Sequence, residues 1–335
     1  MNNIKKIGLS ALAGSLAMVS ANAVELAVSG KTEITYVSKS GDASTSGNPY
    51  GMGNAITFAG SGDMNGMTAT YTAVLQDGGT VGAKNNQTFA SSSLMLDMGD
   101  MGTVGFDQGV GEFGASTVDD KMPYAYEEIW SFVGASNGLR AAGGPNVLGY
   151  KNTFSGVNLT LELDPGHNAA GAASGDSGSS GLGTTDSGYN FALTSSNAGV
   201  GYGVGYGTEE QSDNTTNAKD EEYMTSFVTY AIGGATVGYQ LSEANGGASG
   251  AASNQVEIMG ISFAVNENLA VSANQMDNEY AKAGSTHITE ETIGFGASYT
   301  MGSAAVRVLA SEVDNSGGLK SVDNKHVEVS LMLAF

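Results

Sequence analysis

The sequence predicts an all-β fold, a 16-stranded antiparallel transmembrane β-barrel, and three observations support that prediction. Apolar and polar residues alternate along many short segments, a pattern that gives a β-strand one apolar and one polar face. Short turns that contain Gly, Asn or Asp alternate with longer polar connections. The chain of 335 residues has 14% charged residues and 50 glycines, fewer charges and more glycine than an average soluble domain.

The N-terminal 23 residues are typical of a secretory signal peptide, so residues 24–335 are expected to form the barrel. Lys5 and Lys6 precede an apolar segment, and Ala21 and Ala23 provide the small residues of a cleavage site. An uncleaved N-terminal helix is the alternative. After this segment the sequence contains no run of about 18 apolar residues, so it predicts no membrane-spanning helix. The chain has no cysteine, which excludes a disulfide framework.

The strands of the first half carry apolar residues on one face and polar residues on the other. In the first strand Leu26, Ile34 and Tyr36 share a face, while Lys31 and Glu33 lie on the opposite face. Membrane barrels with a wet interior show this arrangement, apolar outside and polar inside. The following strands are marked by alternating residues around Phe58, Tyr71, Leu96, Phe106, Tyr150 and Leu161.

The second half repeats the pattern to the end of the chain. In the last strand Val329 and Leu331 alternate with Glu328 and Ser330, and Phe335 is the final residue. An even number of strands, each close to ten residues long, suits a tilted strand that crosses a membrane. The strands between lie around Phe191, Tyr202, Phe227, Tyr239, Phe263, Val271, Phe295 and Val308.

The connections distinguish a membrane barrel from other β-folds. Seven tight turns alternate with eight longer polar segments, the first of which is predicted at residues 39–52. Outer-membrane barrels show this asymmetry, with short periplasmic turns and long external loops. A soluble sandwich does not need it, and the sequence lacks the fixed repeat of a β-solenoid. Because backbone groups in hydrocarbon must all be paired, the sheet is expected to close on itself.

The third long connection, residues 109–145, departs from the alternating pattern. It contains Trp130, Arg140 and several acids, and we interpret it as a loop folded into the mouth of the barrel. Its acids are candidates to line the pore and repel anions. A solvated acidic loop and a calcium site are the alternatives, although the EF-hand pattern of calcium ligands is absent. The candidate acids are Asp119, Asp120, Glu127 and Glu128.

Motifs that resemble enzyme signatures lack the context that their chemistry needs. Residues 109–114 match a dinucleotide-binding pattern, and Gly134, Ser136 and Gly138 match a nucleophile elbow. Neither has the strand and helix that such sites require. The three histidines are too widely spaced for metal binding, and a formal net charge of −21 offers no basic surface to nucleic acid. We therefore predict no catalytic residue, no metal and no cofactor, apart from the calcium alternative.

Several segments together carry a resemblance to a known family. They are residues 24–30 (VELAVSG), residues 98–106 (MGDMGTVGF), the long insertion, residues 146–151 (NVLGYK) and the terminal Phe335. In this order they resemble the general porins of Gram-negative bacteria, and are most similar to the alphaproteobacterial type. The resemblance implies sixteen strands, a homotrimer and a third loop that constricts the pore. It also implies that Phe335 is a signal for the barrel-assembly machinery.

The resemblance further implies that carboxylates of the third loop face bases on the barrel wall. The inward-facing bases are Lys31, Lys151 and Arg307, fewer than the arginine cluster of many relatives. The expected protein is an outer-membrane channel for passive diffusion of small hydrophilic solutes and ions, with a preference for cations. Its expected surroundings are outer-membrane lipid and lipopolysaccharide. A substrate-selective channel is the alternative, followed by a barrel enzyme or an adhesin.

Overall fold

The computed structural model describes residues 25–42, 47–77, 87–119, 121–130, 146–165, 187–210, 220–245, 253–281 and 288–335. These residues form one closed barrel of sixteen strands, each paired antiparallel with its chain neighbours, and the first strand pairs with the last. Within these ranges no helix is long and apolar enough to cross a membrane. The predicted signal peptide lies outside the described residues, as do His167 and His287.

The strands are β1 (Glu25–Gly41), β2 (Tyr50–Met64), β3 (Met67–Asp77), β4 (Gln87–Asp97), β5 (Thr103–Gln108), β6 (Val147–Phe154), β7 (Val157–Asp164), β8 (Gly188–Asn197), β9 (Val200–Glu209), β10 (Glu221–Ile232), β11 (Ala235–Asn245), β12 (Ser253–Ala264), β13 (Leu269–Ala281), β14 (Ile288–Met301), β15 (Ala304–Asp314) and β16 (Asn324–Ala334). The predicted strand number is confirmed. The predicted boundaries are wrong at several loops, because β1 and β2 both extend into residues 39–52.

The two faces of each strand follow the predicted alternation. Ile34 of β1 lies opposite Leu331 of β16, and Tyr36 lies opposite Val329; all four side chains are exposed on the outside of the barrel. Glu33, one position along, points into the lumen and reaches Arg307 of β15. An apolar exterior is favourable only in contact with hydrocarbon, so the register itself indicates a membrane-facing surface.

Tight turns join the strands at one end of the barrel, which we call the short-turn end. Ser155 and Gly156 between β6 and β7 both have positive φ, as do Ala198 and Gly199 between β8 and β9. Two-residue turns with this geometry match the right-handed twist of a hairpin. The opposite end, the long-loop end, carries the longer connections.

The last residue closes the barrel against the first strand. The Phe335 amide donates to the Gly30 carbonyl at 2.9 Å, and the Gly30 amide donates to the Phe335 carbonyl at 2.7 Å. The Phe335 ring covers Gly30 so closely that a Cβ there would lie 2.5 Å from ring atom Cε2. A glycine is therefore required where the terminal aromatic ring packs.

Candidate pore constriction

The connection between β5 and β6, which we call the third loop, turns into the barrel directly after β5. Asp107 at the end of β5 is buried and accepts hydrogen bonds from the amides of Val110, at 2.6 Å, and Glu112, at 2.7 Å. These bonds satisfy backbone donors that the sheet no longer pairs. The described part of the loop, residues 109–119 and 121–130, then follows the inner wall from β5 to β14.

Glycines on the inner wall provide the space in which the loop lies. Phe113 covers Gly149 of β6, where a Cβ would lie 2.0 Å from ring atom Cγ. Val118 lies against Gly205 of β9, where a Cβ would lie 2.8 Å from its Cγ2 atom. Because larger side chains would occupy these positions in the lumen, the glycines determine how close the loop comes to the wall.

Side chains of the wall also hold the loop backbone through hydrogen bonds. The amide of Gly114, which begins the 3-10 helix Gly114–Val118, donates to Thr160 Oγ1 at 2.8 Å. The next amide, of Ala115, donates to Asn190 Oδ1 at 2.6 Å. Further along, the Ala125 amide donates to Ser272 Oγ at 2.9 Å. These bonds join loop residues to strands on both sides of the barrel.

An apolar cluster inside the lumen anchors the far part of the loop. Met122, Tyr126, Ile129 and Trp130 of the loop are buried there. Fully burying an apolar side chain of this size contributes about 1.5–3 kcal/mol. The expectation of a uniformly polar inner wall is wrong at this place, because inward-facing apolar residues pack against the loop. These wall residues are Val256, Ile258, Met276 and Leu309.

A network of charged groups fixes Tyr126 across the junction of β1 and β16. The Tyr126 hydroxyl lies 2.5 Å from Glu328 Oε1 and 3.0 Å from Glu33 Oε1. Burial raises the pKa of Tyr126, so its hydroxyl stays protonated and donates. Arg307 forms an ion pair with Glu33 and stacks on the Tyr126 ring at 4.5 Å. The wall base therefore contacts the loop at an aromatic ring.

The other two predicted wall bases, Lys151 and Lys31, differ in their contacts and exposure. The Lys151 ammonium forms an ion pair with Glu112 at 2.6 Å and lies 5.6 Å from the centre of the Phe113 ring. Lys31 lies on the inner face of β1 and is exposed. Two of the three predicted wall bases are thus paired with acids, Glu112 and Glu33, that are not among the four candidate constriction acids.

The candidate loop acids do not form one cluster. Asp119 follows the 3-10 helix, where its amide donates to the Ser116 carbonyl at 3.2 Å. Glu127 and Glu128 are half-buried further along the loop. Burial and the nearby carboxylates of Glu328 and Glu33 raise the pKa of Glu127 to about 7, although Arg307 acts in the opposite direction. Asp120, Ser136 and Arg140 lie outside the described residues.

Sequence reasoning missed part of the acidic inner wall. Glu162 is buried on β7 and accepts a hydrogen bond from Asn190 Nδ2 at 2.9 Å. The alternation already placed Glu162 and Glu328 on inner faces, and this signal could have identified them. Within the described ranges, no group of three or more His, Cys, Asp or Glu side chains is arranged to hold a metal ion. A calcium ion at the loop carboxylates remains a prediction.

Two cavities adjoin the third loop on its short-turn side. One has a volume of about 580 Å³ and is lined by Glu112, Thr117, Lys151 and hydroxyl and amide side chains of β5–β8. The other has a volume of about 330 Å³ and lies between Tyr124, Tyr126 and the wall at Arg307. Polar side chains line much of both cavities, so the lumen beside the loop can hold water.

The comparisons with known proteins agree with this architecture. The family model described as Gram-negative porin matches residues 8–317. No curated protein matches the chain in sequence. An anion-selective porin from Comamonas acidovorans is 17% identical and superposes over 93% of this chain and 100% of its own, with a TM-score of 0.66. OmpF of Salmonella typhi in complex with daunomycin is 14% identical and superposes over 95% of this chain and 99% of its own, with a TM-score of 0.70.

A third solved structure, OmpT from the outer membrane of Vibrio cholerae, is 10% identical over 95% of this chain and 100% of its own, with a TM-score of 0.66. At such identities the likeness shows the fold, while the family match covers most of the sequence. The predicted family and fold are confirmed. The chain belongs to the Gram-negative porin family, and is a sixteen-stranded channel protein of the outer membrane.

Proposed function

We propose that the protein is a water-filled channel through which small hydrophilic solutes and ions diffuse passively, with a preference for cations. The observation that carries this proposal is the pairing of two of the three predicted wall bases with acids. Lys151 is paired with Glu112, and Arg307 is paired with Glu33. Their positive charges are therefore largely cancelled along the path beside the third loop.

Two acids of the same region, Glu127 and Glu162, are not paired in this way, since among the described residues neither forms an ion pair with a base. Charge of one sign in a confined aqueous path raises the local concentration of ions of the opposite sign. The proposal therefore assigns the constriction an excess of negative potential. The likeness to an anion-selective porin does not decide the sign, because it concerns the fold.

The reversal potential of the protein in a planar bilayer, under a KCl gradient, tests the proposal. We expect a sign that corresponds to cation preference, and a smaller potential in the variant Asp119→Asn, Asp120→Asn, Glu127→Gln, Glu128→Gln. A variant with Asp63→Asn at a tight turn serves as a control for a general change in charge. Anion preference of the unmodified protein would refute the proposal. An unchanged reversal potential in the fourfold variant would mean that the loop acids are solvated and do not line the ion path.

We infer that the protein is a trimer, assembled through the outward face of β1–β4. On that face Thr32 of β1 forms a hydrogen bond of 2.7 Å with Asn54 of β2. The neighbouring outward residues along the two strands, such as Ile34 and Met52, are apolar. Polar groups are costly in hydrocarbon, so a neighbouring protomer is a better environment for them than lipid. Export by the N-terminal signal peptide and recognition of Phe335 during assembly are part of the same proposal. It includes no catalysed reaction.

A further inference from the structure

The larger of the two cavities beside the third loop, which we call the recess, has a wall of polar groups. Its volume of about 580 Å³ lies within the range of small-molecule sites, roughly 300–1,000 Å³. The third loop contributes Gly111, Glu112 and Thr117, and the tight turn before β5 contributes Gly99 and Gly102. Strands β5–β8 form the remaining wall. The recess therefore lies between the constriction and the short-turn end, beside the path of a permeating solute.

Three adjacent strands supply a row of hydroxyl and amide groups to this wall. The register places Thr153 of β6 opposite Asn158 of β7, and Asn158 opposite Thr194 of β8. Thr153 Oγ1 donates to Asn158 Oδ1 at 2.8 Å, and Asn158 Nδ2 donates to Thr194 Oγ1 at 3.3 Å. We call these three residues the polar row. Because neighbouring strands are about 4.8 Å apart, the polar row extends over roughly 10 Å and can contact several groups of one ligand.

The polar row presents both hydrogen-bond donors and acceptors to a ligand. Thr153 uses its hydroxyl proton towards Asn158, so its oxygen can still accept. Thr194 accepts from Asn158, so its own hydroxyl proton is left to donate. A ligand hydroxyl matches such a surface because it donates and accepts at once. An ammonium group only donates, and a carboxylate only accepts.

The charged groups of the recess favour a neutral ligand. Among the described residues that line it, Lys151 is the one base, and its ammonium is held by Glu112 of the third loop at 2.6 Å. An anionic or zwitterionic ligand would have to separate this pair. A cationic ligand would gain only Asp97, an exposed acid whose Oδ1 accepts the Gly99 amide at 2.9 Å, and exposed ion pairs contribute little. A neutral ligand leaves the pair intact and can bond to both partners.

We propose that the recess is a binding site for a neutral, polyhydroxylated solute, a mono- or disaccharide, which is retained there on its way through the channel. Its hydroxyl groups bond to the polar row and to the pair of Lys151 and Glu112, and the third loop covers one side of it. The inference rests on the proposed channel function, and it adds saturable recognition of one solute class to passive diffusion. Because the recess is open to the lumen, binding is weak and rapidly reversible.

Ion current through the protein in a planar bilayer, with increasing sucrose in KCl, tests the proposal. We expect the current to fall with a saturable dependence on sucrose, beyond the fall in bulk conductivity of the same solution. The variant Thr153→Val, Thr194→Val removes the hydroxyls at both ends of the polar row while keeping the side-chain shape. It should raise the half-saturating sucrose concentration about tenfold. The matched control, Thr70→Val, Thr72→Val, makes the same change on the inner face of β3, outside the recess, and should retain the parental value.

Further measurements separate recognition of hydroxyl groups from simple blockage. Polyethylene glycol of the same mass as sucrose has few hydroxyls, so its effect should rise in proportion to its concentration without saturation. The variant Thr153→Ser, Thr194→Ser keeps both hydroxyls and should show the parental dependence on sucrose. Equal saturation by sucrose and polyethylene glycol, equal half-saturation in the two valine variants, or stronger saturable block by the zwitterion alanylalanine would each overturn the proposal.

The same recordings distinguish the saccharide site from the channel function on which it rests. A protein that conducts with cation preference, but whose current shows no saturable dependence on sucrose, would refute the saccharide site alone. A protein that conducts no ions would refute both proposals.

Discussion

Glu127 is a carboxyl group that changes its charge near neutral pH. Its pKa is raised to about 7, mainly by burial and then by the carboxylates of Glu328 and Glu33. Below this pH the side chain is protonated and neutral, and above it the side chain is negative. We therefore expect cation preference to increase as the pH rises through about 7.

Reversal potentials measured from about pH 5 to about pH 9 check this expectation, since ordinary carboxyls titrate below this range. Glu127→Gln should reduce the step near neutral pH, whereas Asp119→Asn should leave its size unchanged. A step of unchanged size in Glu127→Gln would assign the titration to another group.

At the scale of single elements, the position of the third loop depends on space at the wall. Gly149→Val should displace Phe113, because even a Cβ at this position would lie 2.0 Å from its ring. Overpacking of this kind costs about 1–3 kcal/mol. We expect a lower thermal stability and an altered single-channel conductance. The control is Gly53→Val on the inner face of β2, where a Cβ would meet no atom within 4 Å. Equal conductance in both variants and the parent would contradict this role of Gly149.

The elements differ in how well local sequence predicts them. The outward and inward faces of β1 follow from the alternation of Ile34 and Tyr36 with Glu33, and the position of the third loop follows from the order of the turns. The path of the loop does not follow from such patterns. It depends on contacts between distant residues, such as the bond between Ala125 and Ser272. The strand register turns Ile258 and Met276 towards the lumen, and apolar side chains are favourable there because the loop covers them. The local periodicity of the sequence does not indicate this contact with the loop.

The whole molecule is expected to assemble through one side of its outer surface. Asn54→Trp places a bulky side chain in the proposed interface on β1–β4, and should yield monomers in detergent. Leu161→Trp places the same side chain on the outward face of β7, where lipid contact is expected, and should leave the trimer intact. Light scattering after gel filtration distinguishes the two masses. If Asn54→Trp still forms trimers as stable as those of the parent protein, the trimer interface does not lie on the outward face of β1–β4.

The contact of Tyr126 with both Glu33 and Glu328 has a consequence for the order of folding. Glu33 belongs to the first strand and Glu328 to the last, so their carboxylates come together only when the two ends of the chain have met. The anchor of the loop at this place cannot exist in a barrel that is still open. This anchor of the constriction is therefore completed late in folding, and a protein that has not closed its sheet lacks it.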